Sequence, residues 1–284
     1  MRYTAYLNRK FIPLKKARIS VLDRGFLYGD GVFETMRGSR GRIEDIDKHV
    51  ERLYVSLKAL EIRVSLPKQK LKSIIYKLLK KNNLKNAYIK VLVTRGKSNG
   101  LLAPSGKSRP TVLAYALKYK PVPQEVYEKG IKVCVIQNGI FGKLKITGKK
   151  TINYLNNILC LAEARAGGYQ DCILENSEGF VSEASSSNIF LVKNGRLFTP
   201  ALNSGCLPGI TRGKVLKFGR KFLKKPPKET LIAIKNLYAA DEVFLTNSLA
   251  GIVPVCKIDG TPIGNGKPGG MTRALSKLLK KQKK

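Results

Sequence analysis

The stretch GKKTINYLNNILCLAEAR, residues 148–165, sets Lys149 and Lys150 side by side ahead of a segment that reads as a helix. A lysine amine does covalent chemistry only when neutral, and a second cation beside it in a desolvated setting lowers its pKa in that direction. The pair is therefore a candidate for an activated amine, with plain surface charge as the alternative. Further on, LPGITR, residues 207–212, reads as a Pro-Gly turn entering a helix. The backbone N–H groups of Gly209, Ile210 and Thr211 would then face an anion at the helix N-terminus. Metal or disulfide chemistry has little to draw on. The five cysteines, Cys134, Cys160, Cys172, Cys206 and Cys256, are scattered without a CxxC pair, and the chain has one histidine. Free buried thiols and no metal site are expected.

A chain of 284 residues, 43% of them apolar, must place these groups. That length allows a sizeable core and about two domains. RYTAYLNRKFIPL reads as strand, turn at Asn8-Arg9, and strand. Ile46, Val50, Leu53, Leu57 and Leu60 recur on one helical face, with Asp45 as N-cap, and Leu71, Ile74, Ile75, Leu78 and Leu79 make a second such face after Pro67. AYIKVLVTRG and PTVLAYALKY read as strands around a loop near Gly100 to Gly106. KPVPQEVYEKG reads as a linker. The expected organisation is a small domain over 1–118, a linker over 119–124 and a larger domain over 125–284. In the latter, IKVCVIQ, DCILEN, SSNIFLV and GRLFTP are strands, Asn153 to Ala166 and the segment after LPGITR are helices, and DEVFLTNSLAGIVPVCKIDG is strand, loop, strand. Helices and strands mix without strict alternation, which predicts an α+β (mixed α/β) class.

Charge is the unusual feature: 54 Lys and Arg against 19 Asp and Glu, a formal +35. Such a field attracts anions of any size, so nucleic acid is an alternative partner. The basic residues, however, run from Lys15 and Lys16 to the KLLKKQKK tail, and no helix-turn-helix, RNP or zinc-finger pattern occurs. Nucleic acid is not expected, and the tail reads as a solvated helix end. Apolar runs fall short of the roughly 18 to 20 residues that a membrane span needs. MRYTAYLNRKFIPLKK has no continuous apolar stretch of the secretory kind. A cytoplasmic location is the expectation.

Seven motifs fall in one order: YGDGVFETMR (28–37), HVERL (49–53), TRG (94–96), KTINYLNNILCLAEA (150–164), GFVSEASSSNIFLV (179–192), LPGITR (207–212) and DEVFLTNSLAGIVPV (241–255). Together they resemble the fold type IV pyridoxal-phosphate enzymes, which include branched-chain aminotransferases, D-amino-acid aminotransferases and 4-amino-4-deoxychorismate lyases, over nearly the whole chain. The resemblance implies a two-domain, D-amino-acid-aminotransferase-like fold and pyridoxal 5'-phosphate as cofactor. It also implies a small anionic, amino-acid-like substrate and a homodimer with active sites near the subunit interface. In the family the Schiff-base lysine precedes the helix as Lys-x-x-Asn or Lys-x-Gly-Gly-Asn. Lys150 fits the first spacing to Asn153, whereas Lys149 matches only the distance of the second, so Lys150 is the expected catalytic lysine. By the same resemblance, Glu183 would keep the pyridine nitrogen protonated. Arg52 of HVERL, Gly209, Ile210, Thr211 and Ser248 would hold the phosphate. Tyr154 would sit near the ring oxygen, with a core contact as its alternative, and Arg95 and Leu249 would meet the substrate.

Departures from the pattern bear on the reaction. Gly96-Lys97 follows Arg95 where D-amino-acid aminotransferases carry Arg-x-His, which disfavours that activity. Branched-chain enzymes usually carry a Gly-Thr-Ala-Ala loop, and this chain reads Asn247-Ser248-Leu249-Ala250. That loop, with FETMR and LFTPALNSGCLPGITR, looks more like the aminodeoxychorismate lyases, whose multiply charged substrate Arg95 and the positive field would suit. The expectation leans to the lyase, which forms pyruvate and 4-aminobenzoate for folate synthesis. The alternative is a branched-chain aminotransferase using 2-oxoglutarate. A basic nucleic-acid-binding protein on a degenerate scaffold is the remote third, opposed by the presence of Lys150, Glu183 and Arg52.

Overall fold

The computed structural model describes residues 3–99, 101–104, 109–140 and 145–282. Part of the loop expected near Gly100 to Gly106 and the last two residues of the tail lie outside that set. The chain divides into two compact units, Met1–Lys120 with Lys149–Asn153, and Pro121–Gly148 with Tyr154–Lys284.

In the first unit the strands are β1 (Thr4–Leu7), β2 (Lys10–Pro13), β3 (Gly31–Ser39), β4 (Arg42–Ile43), β5 (Ala87–Thr94) and β6 (Thr111–Lys118). They form one antiparallel sheet in the order β2-β1-β6-β5-β3-β4. Its helices are α1 (Arg24–Tyr28), α2 (Ile46–Ala59) and α3 (Lys68–Lys81). Successive strand residues face opposite ways. Ala87, Ile89, Val91 and Val93 of β5 are buried in one core with Val50, Leu53 and Leu57 of α2 and Leu71, Ile74 and Leu78 of α3. Each fully buried aliphatic side chain there contributes roughly 1.5 to 3 kcal/mol. Tyr88 and Lys90, at the alternate positions, face the other side of the sheet. Asp45 precedes α2 as expected, but its backbone is left-handed (φ 52°) and its carboxylate caps nothing. A capping residue normally has an extended backbone, which aims its side chain at the first-turn N–H groups.

The second unit begins with α4 (Gln124–Lys129), so the second half of the expected linker is helical, and Tyr127 Oη donates to the Ala250 carbonyl at 2.8 Å. Its strands are β7 (Ile131–Ile140), β8 (Asp171–Asn176), β9 (Val181–Ala184), β10 (Asn188–Lys193), β11 (Arg196–Pro200), β12 (Lys228–Thr230), β13 (Glu242–Asn247), β14 (Gly251–Ile258) and β15 (Thr261–Pro262). The sheet runs β12-β11-β10-β13-β14-β7-β8-β9, with β15 paired to β14. It is mixed, since β14 with β7, β7 with β8 and β11 with β12 are parallel pairs. The remaining helices are α5 (Leu155–Ala166), α6 (Ile210–Phe222), α7 (Ile234–Tyr238) and α8 (Gly270–Lys281). Phe190 and Phe244 stack at 5.1 Å, in a core shared with Leu216 of α6 and with Leu275 and Leu279 of α8. The tail helix is therefore anchored by an apolar stripe where a solvated end was expected. All five cysteines are buried and unpaired. Burial pushes the Cys134 and Cys172 thiols up to about 11 and about 12, which leaves them inert near neutral pH. Among the described residues no helix is long and apolar enough to cross a membrane, and no group of His, Cys, Asp or Glu could hold a metal ion.

Candidate active site

Residues 149–153 pair with the first unit. The Phe33 N–H donates to the Lys150 carbonyl and the Ile152 N–H to the Gly31 carbonyl, both at 3.0 Å, and Thr151 bridges Val32. Asn153 Nδ2 donates to the Gly29 carbonyl at 2.9 Å. Gly29 has a φ of +65°, and a Cβ there would lie 2.4 Å from Asn153 Oδ1. This edge pairing fixes the backbone of Lys150 against β3 and explains why α5 starts at Leu155, two residues later than the periodicity suggests. Lys150 Nζ lies 4.4 Å from the Phe33 ring centroid, and Lys90 Nζ lies 4.5 Å from the same ring. Burial, and next the charge of Lys150, push the Lys90 amine below its ordinary value. Lys90 belongs to no motif; its one signal in the sequence is that of a lone lysine inside the apolar strand AYIKVLVT.

Glu34, the next residue of β3, faces the opposite side and meets α2. Arg52 Nε donates to its Oε1 at 2.7 Å and Arg52 Nη2 to its Oε2 at 2.9 Å, while His49 Nδ1 lies 2.7 Å from Oε2. A carboxylate only accepts, so His49 carries its proton on Nδ1. Burial by itself would push the Glu34 carboxyl up. The hydrogen bonds from His49 and Arg52, with the Arg52 charge, outweigh it and hold the carboxyl below the ordinary range. Arg95 is committed differently. Its Nε and Nη2 donate to Asp30 at 2.7 and 3.1 Å, and Nη2 and Nη1 also donate to the Leu60 and Glu61 carbonyls at 2.7 and 3.1 Å. Arg24 Nε shares the same Asp30 carboxylate at 2.7 Å.

The second unit gathers the other expected residues around the turn that joins β9 to β10. Glu183, on β9, accepts from the Leu207 N–H at 3.0 Å and from Asn188 Nδ2 at 3.4 Å, and Asn188 Nδ2 donates to the Leu207 carbonyl at 2.8 Å. This ties the carboxylate to the segment that starts α6, where Gly209 is the N-cap and Ile210 and Thr211 form the first turn. A Cβ on Gly209 would lie 1.9 Å from Asn188 Oδ1, so only glycine allows that approach. Ser248 and Leu249 sit in the turn between β13 and β14, where Asn247 Oδ1 accepts from the Leu249 and Ala250 N–H groups at 3.0 and 2.7 Å. Asn188 pairs with Thr246 across β10 and β13, which brings that turn to the Asn188 end of β10. The Thr246 hydroxyl is buried with no hydrogen-bond partner among the described residues. Tyr154 is the N-cap of α5, whose Asn157 Nδ2 donates to the Ser185 carbonyl at 2.9 Å.

The model of the family described as amino-transferase class IV matches residues 31–258. A putative branched-chain-amino-acid aminotransferase of Methanocaldococcus jannaschii is 38% identical over 97% of this chain and 94% of its own length. The aminodeoxychorismate lyase of Bacillus subtilis is 32% identical over 98% of this chain and 94% of its own. The crystal structure of the T.th. branched-chain amino acid aminotransferase with pyridoxamine 5'-phosphate superposes with a TM-score of 0.93 at 28% identity, covering 99% of this chain and 94% of that one. The mixed helix-and-sheet architecture is that of the fold type IV enzymes, whose cofactor is pyridoxal 5'-phosphate. Matched along almost its full length in sequence and in shape, the chain belongs to the class IV aminotransferases and is an enzyme of that family.

Proposed function

We propose that the protein transfers the amino group of L-amino acids with branched apolar side chains. The observation that carries this reading is the engagement of Arg95 by Asp30 and two backbone carbonyls, which commits elsewhere the one side chain, besides the general positive field, that was expected to favour a multiply charged lyase substrate. The apolar Phe33 ring beside the Lys150 amine suits an apolar side chain, and the M. jannaschii relative and the T.th. structure carry that description.

The residues present fit the family's cofactor. The first unit offers an amine, Lys150, against an aromatic ring, and a guanidinium, Arg52, held by a carboxylate. The second offers a carboxylate, a glycine-started helix and, beside the Ser248 turn, the buried Thr246 hydroxyl that no described residue partners. When bound, the cofactor supplies an electron sink for the carbanion formed at the substrate α-carbon. Lys150 would hold the cofactor covalently and, once displaced by the substrate amine, move the α-proton at Nζ. Glu183 would keep a proton on the pyridine nitrogen, with Asn188 and the Leu207 N–H fixing its direction. Arg52, the Ile210 and Thr211 N–H groups and the Ser248 hydroxyl would take the phosphate. Tyr154 would face the ring oxygen, and Leu249 would meet the substrate.

Two observations favour the lyase as a second reading: the Asn247-Ser248-Leu249 turn departs from the Gly-Thr-Ala form, and the B. subtilis relative is a lyase. L-leucine or L-glutamate alone, added to the cofactor-loaded protein, should convert its visible absorbance band to a near-ultraviolet one. An unchanged band together with pyruvate release from aminodeoxychorismate would replace the aminotransferase by the lyase.

A homodimer belongs to the same proposal. Leu155, Ile158 and Leu159 of α5 are 68%, 58% and 59% exposed and follow one face of the helix, an apolar stripe that a second subunit would cover. The buried free thiols suit a reducing, cytoplasmic setting. Light scattering should give twice the chain mass, and L155E/L159E should halve it; a monomeric wild type would exclude the dimer.

A further inference from the structure

Glu34 and His49 belong to none of the site residues assigned above, yet they form one of the most enclosed charged clusters in the first unit. The Glu34 side chain is 1% exposed and that of His49 2%, whereas Arg52 reaches 12%. Arg52 is gripped side-on, with Nε on one carboxylate oxygen at 2.7 Å and Nη2 on the other at 2.9 Å. A planar guanidinium held at two points loses its rotation, and its Nη1 edge is turned away from the carboxylate. The carboxylate is itself fixed from behind, because His49 Nδ1 holds Oε2 at 2.7 Å from one turn earlier on α2. An ordinary surface arginine has neither restraint.

We propose that Glu34, backed by His49, is a positioning residue that aims the Arg52 guanidinium at the cofactor phosphate. The proposal rests on the placement of Arg52 at that phosphate. Orientation and charge act here in opposite directions. The carboxylate cancels part of the Arg52 charge, which by itself weakens attraction for a phosphate. It also removes in advance the freedom that the guanidinium would otherwise lose on binding, which strengthens it. Direct attraction alone predicts tighter binding once Glu34 is neutralised, whereas positioning predicts weaker binding.

The experiment compares binding of pyridoxal 5'-phosphate and of pyridoxal, which lacks the phosphate, to full-length wild type, E34Q, H49N and H49L, with melting curves for each. In E34Q one carboxylate oxygen becomes an NH2 group facing the donors of Arg52 or His49, so the clamp fails without loss of volume. The expected result is on the order of a tenfold to hundredfold loss of affinity for the phosphorylated form, the range found when a supporting partner of a ligand-binding group is removed. Pyridoxal affinity should stay within about twofold. H49N, which keeps a donor near the Nδ1 position, should hold most of the affinity, and H49L should lose it in the same selective way. The 31P resonance of the bound phosphate should broaden in E34Q and H49L and not in H49N. E34Q binding the phosphorylated cofactor as well as or better than wild type would overturn the proposal. Equal losses for both ligands would overturn it too, since general damage does not discriminate the phosphate. Should E34Q not fold, the H49N and H49L pair decides by the same criterion. A wild type that does not prefer pyridoxal 5'-phosphate over pyridoxal would instead remove Arg52 from the phosphate and the proposal with it.

Discussion

Lys150→Ala should abolish the visible absorbance of the cofactor-loaded protein and lower turnover by a factor of a thousand or more, on the order expected when a residue acting as both attachment point and proton carrier is removed. The backbone contribution of residue 150 is untouched by the change, because it is the carbonyl that accepts from Phe33. The fold and the circular dichroism spectrum should therefore persist, which separates lost chemistry from lost structure. Lys149→Ala should keep both colour and turnover. If the visible band survives in Lys150→Ala, the amine that carries the cofactor is a different one.

Asp30→Ala should destabilise the first unit by about 3 kcal/mol, the order measured when one member of a buried ion pair is removed. Asp30 is the shared acceptor for Arg24 and Arg95, whose side chains are 5% and 16% exposed, so its loss leaves two largely enclosed guanidiniums without their carboxylate. Desolvation raises the Asp30 pKa, but the hydrogen bonds and charges of Arg95 and Arg24 outweigh it and hold the carboxyl below its ordinary value of 3.8. A carboxyl depressed on folding contributes stability that is fully present above its unfolded pKa and lost as pH falls through its folded one. Denaturant unfolding of the wild type should thus show the first unit weakening below about pH 4, and Asp30→Ala should flatten that dependence. A variant as stable as the wild type would mean that Leu60, Glu61, Leu101 and Leu102 carbonyls suffice for the two arginines.

What could be read from the sequence followed periodicity and punctuation. The alternation of AYIKVLVT and the three-to-four spacing of Ile46 to Leu57 specify a strand and a helix because a half-buried element must repeat with its own geometry. Residues 149–153 escape that reading. Their place is decided by a bridge to Val32, more than a hundred positions earlier, and no local pattern encodes a long-range edge pairing. The half-helical linker and the anchored tail are hidden for related reasons: Pro121 and Pro123 mask α4, and eight mostly basic tail residues obscure the stripe of Leu275 and Leu279. Among site residues, motif order points to Lys150, Glu183 and Arg52 one at a time. It does not reveal that Glu34 clamps Arg52, although FETMR and HVERL hold both partners, since a strand and a helix meet face to face only in three dimensions. Arg95 reads as a substrate cation in sequence because Asp30, 65 positions away, cannot be assigned to it beforehand.

Reduction of the cofactor-loaded protein with borohydride, followed by peptide mass mapping, tests the central claim most directly. The claim predicts a phosphopyridoxyl mass on Lys150 and an unmodified Lys149. A tag on Lys149, on Lys90, or on no lysine at all would contradict it.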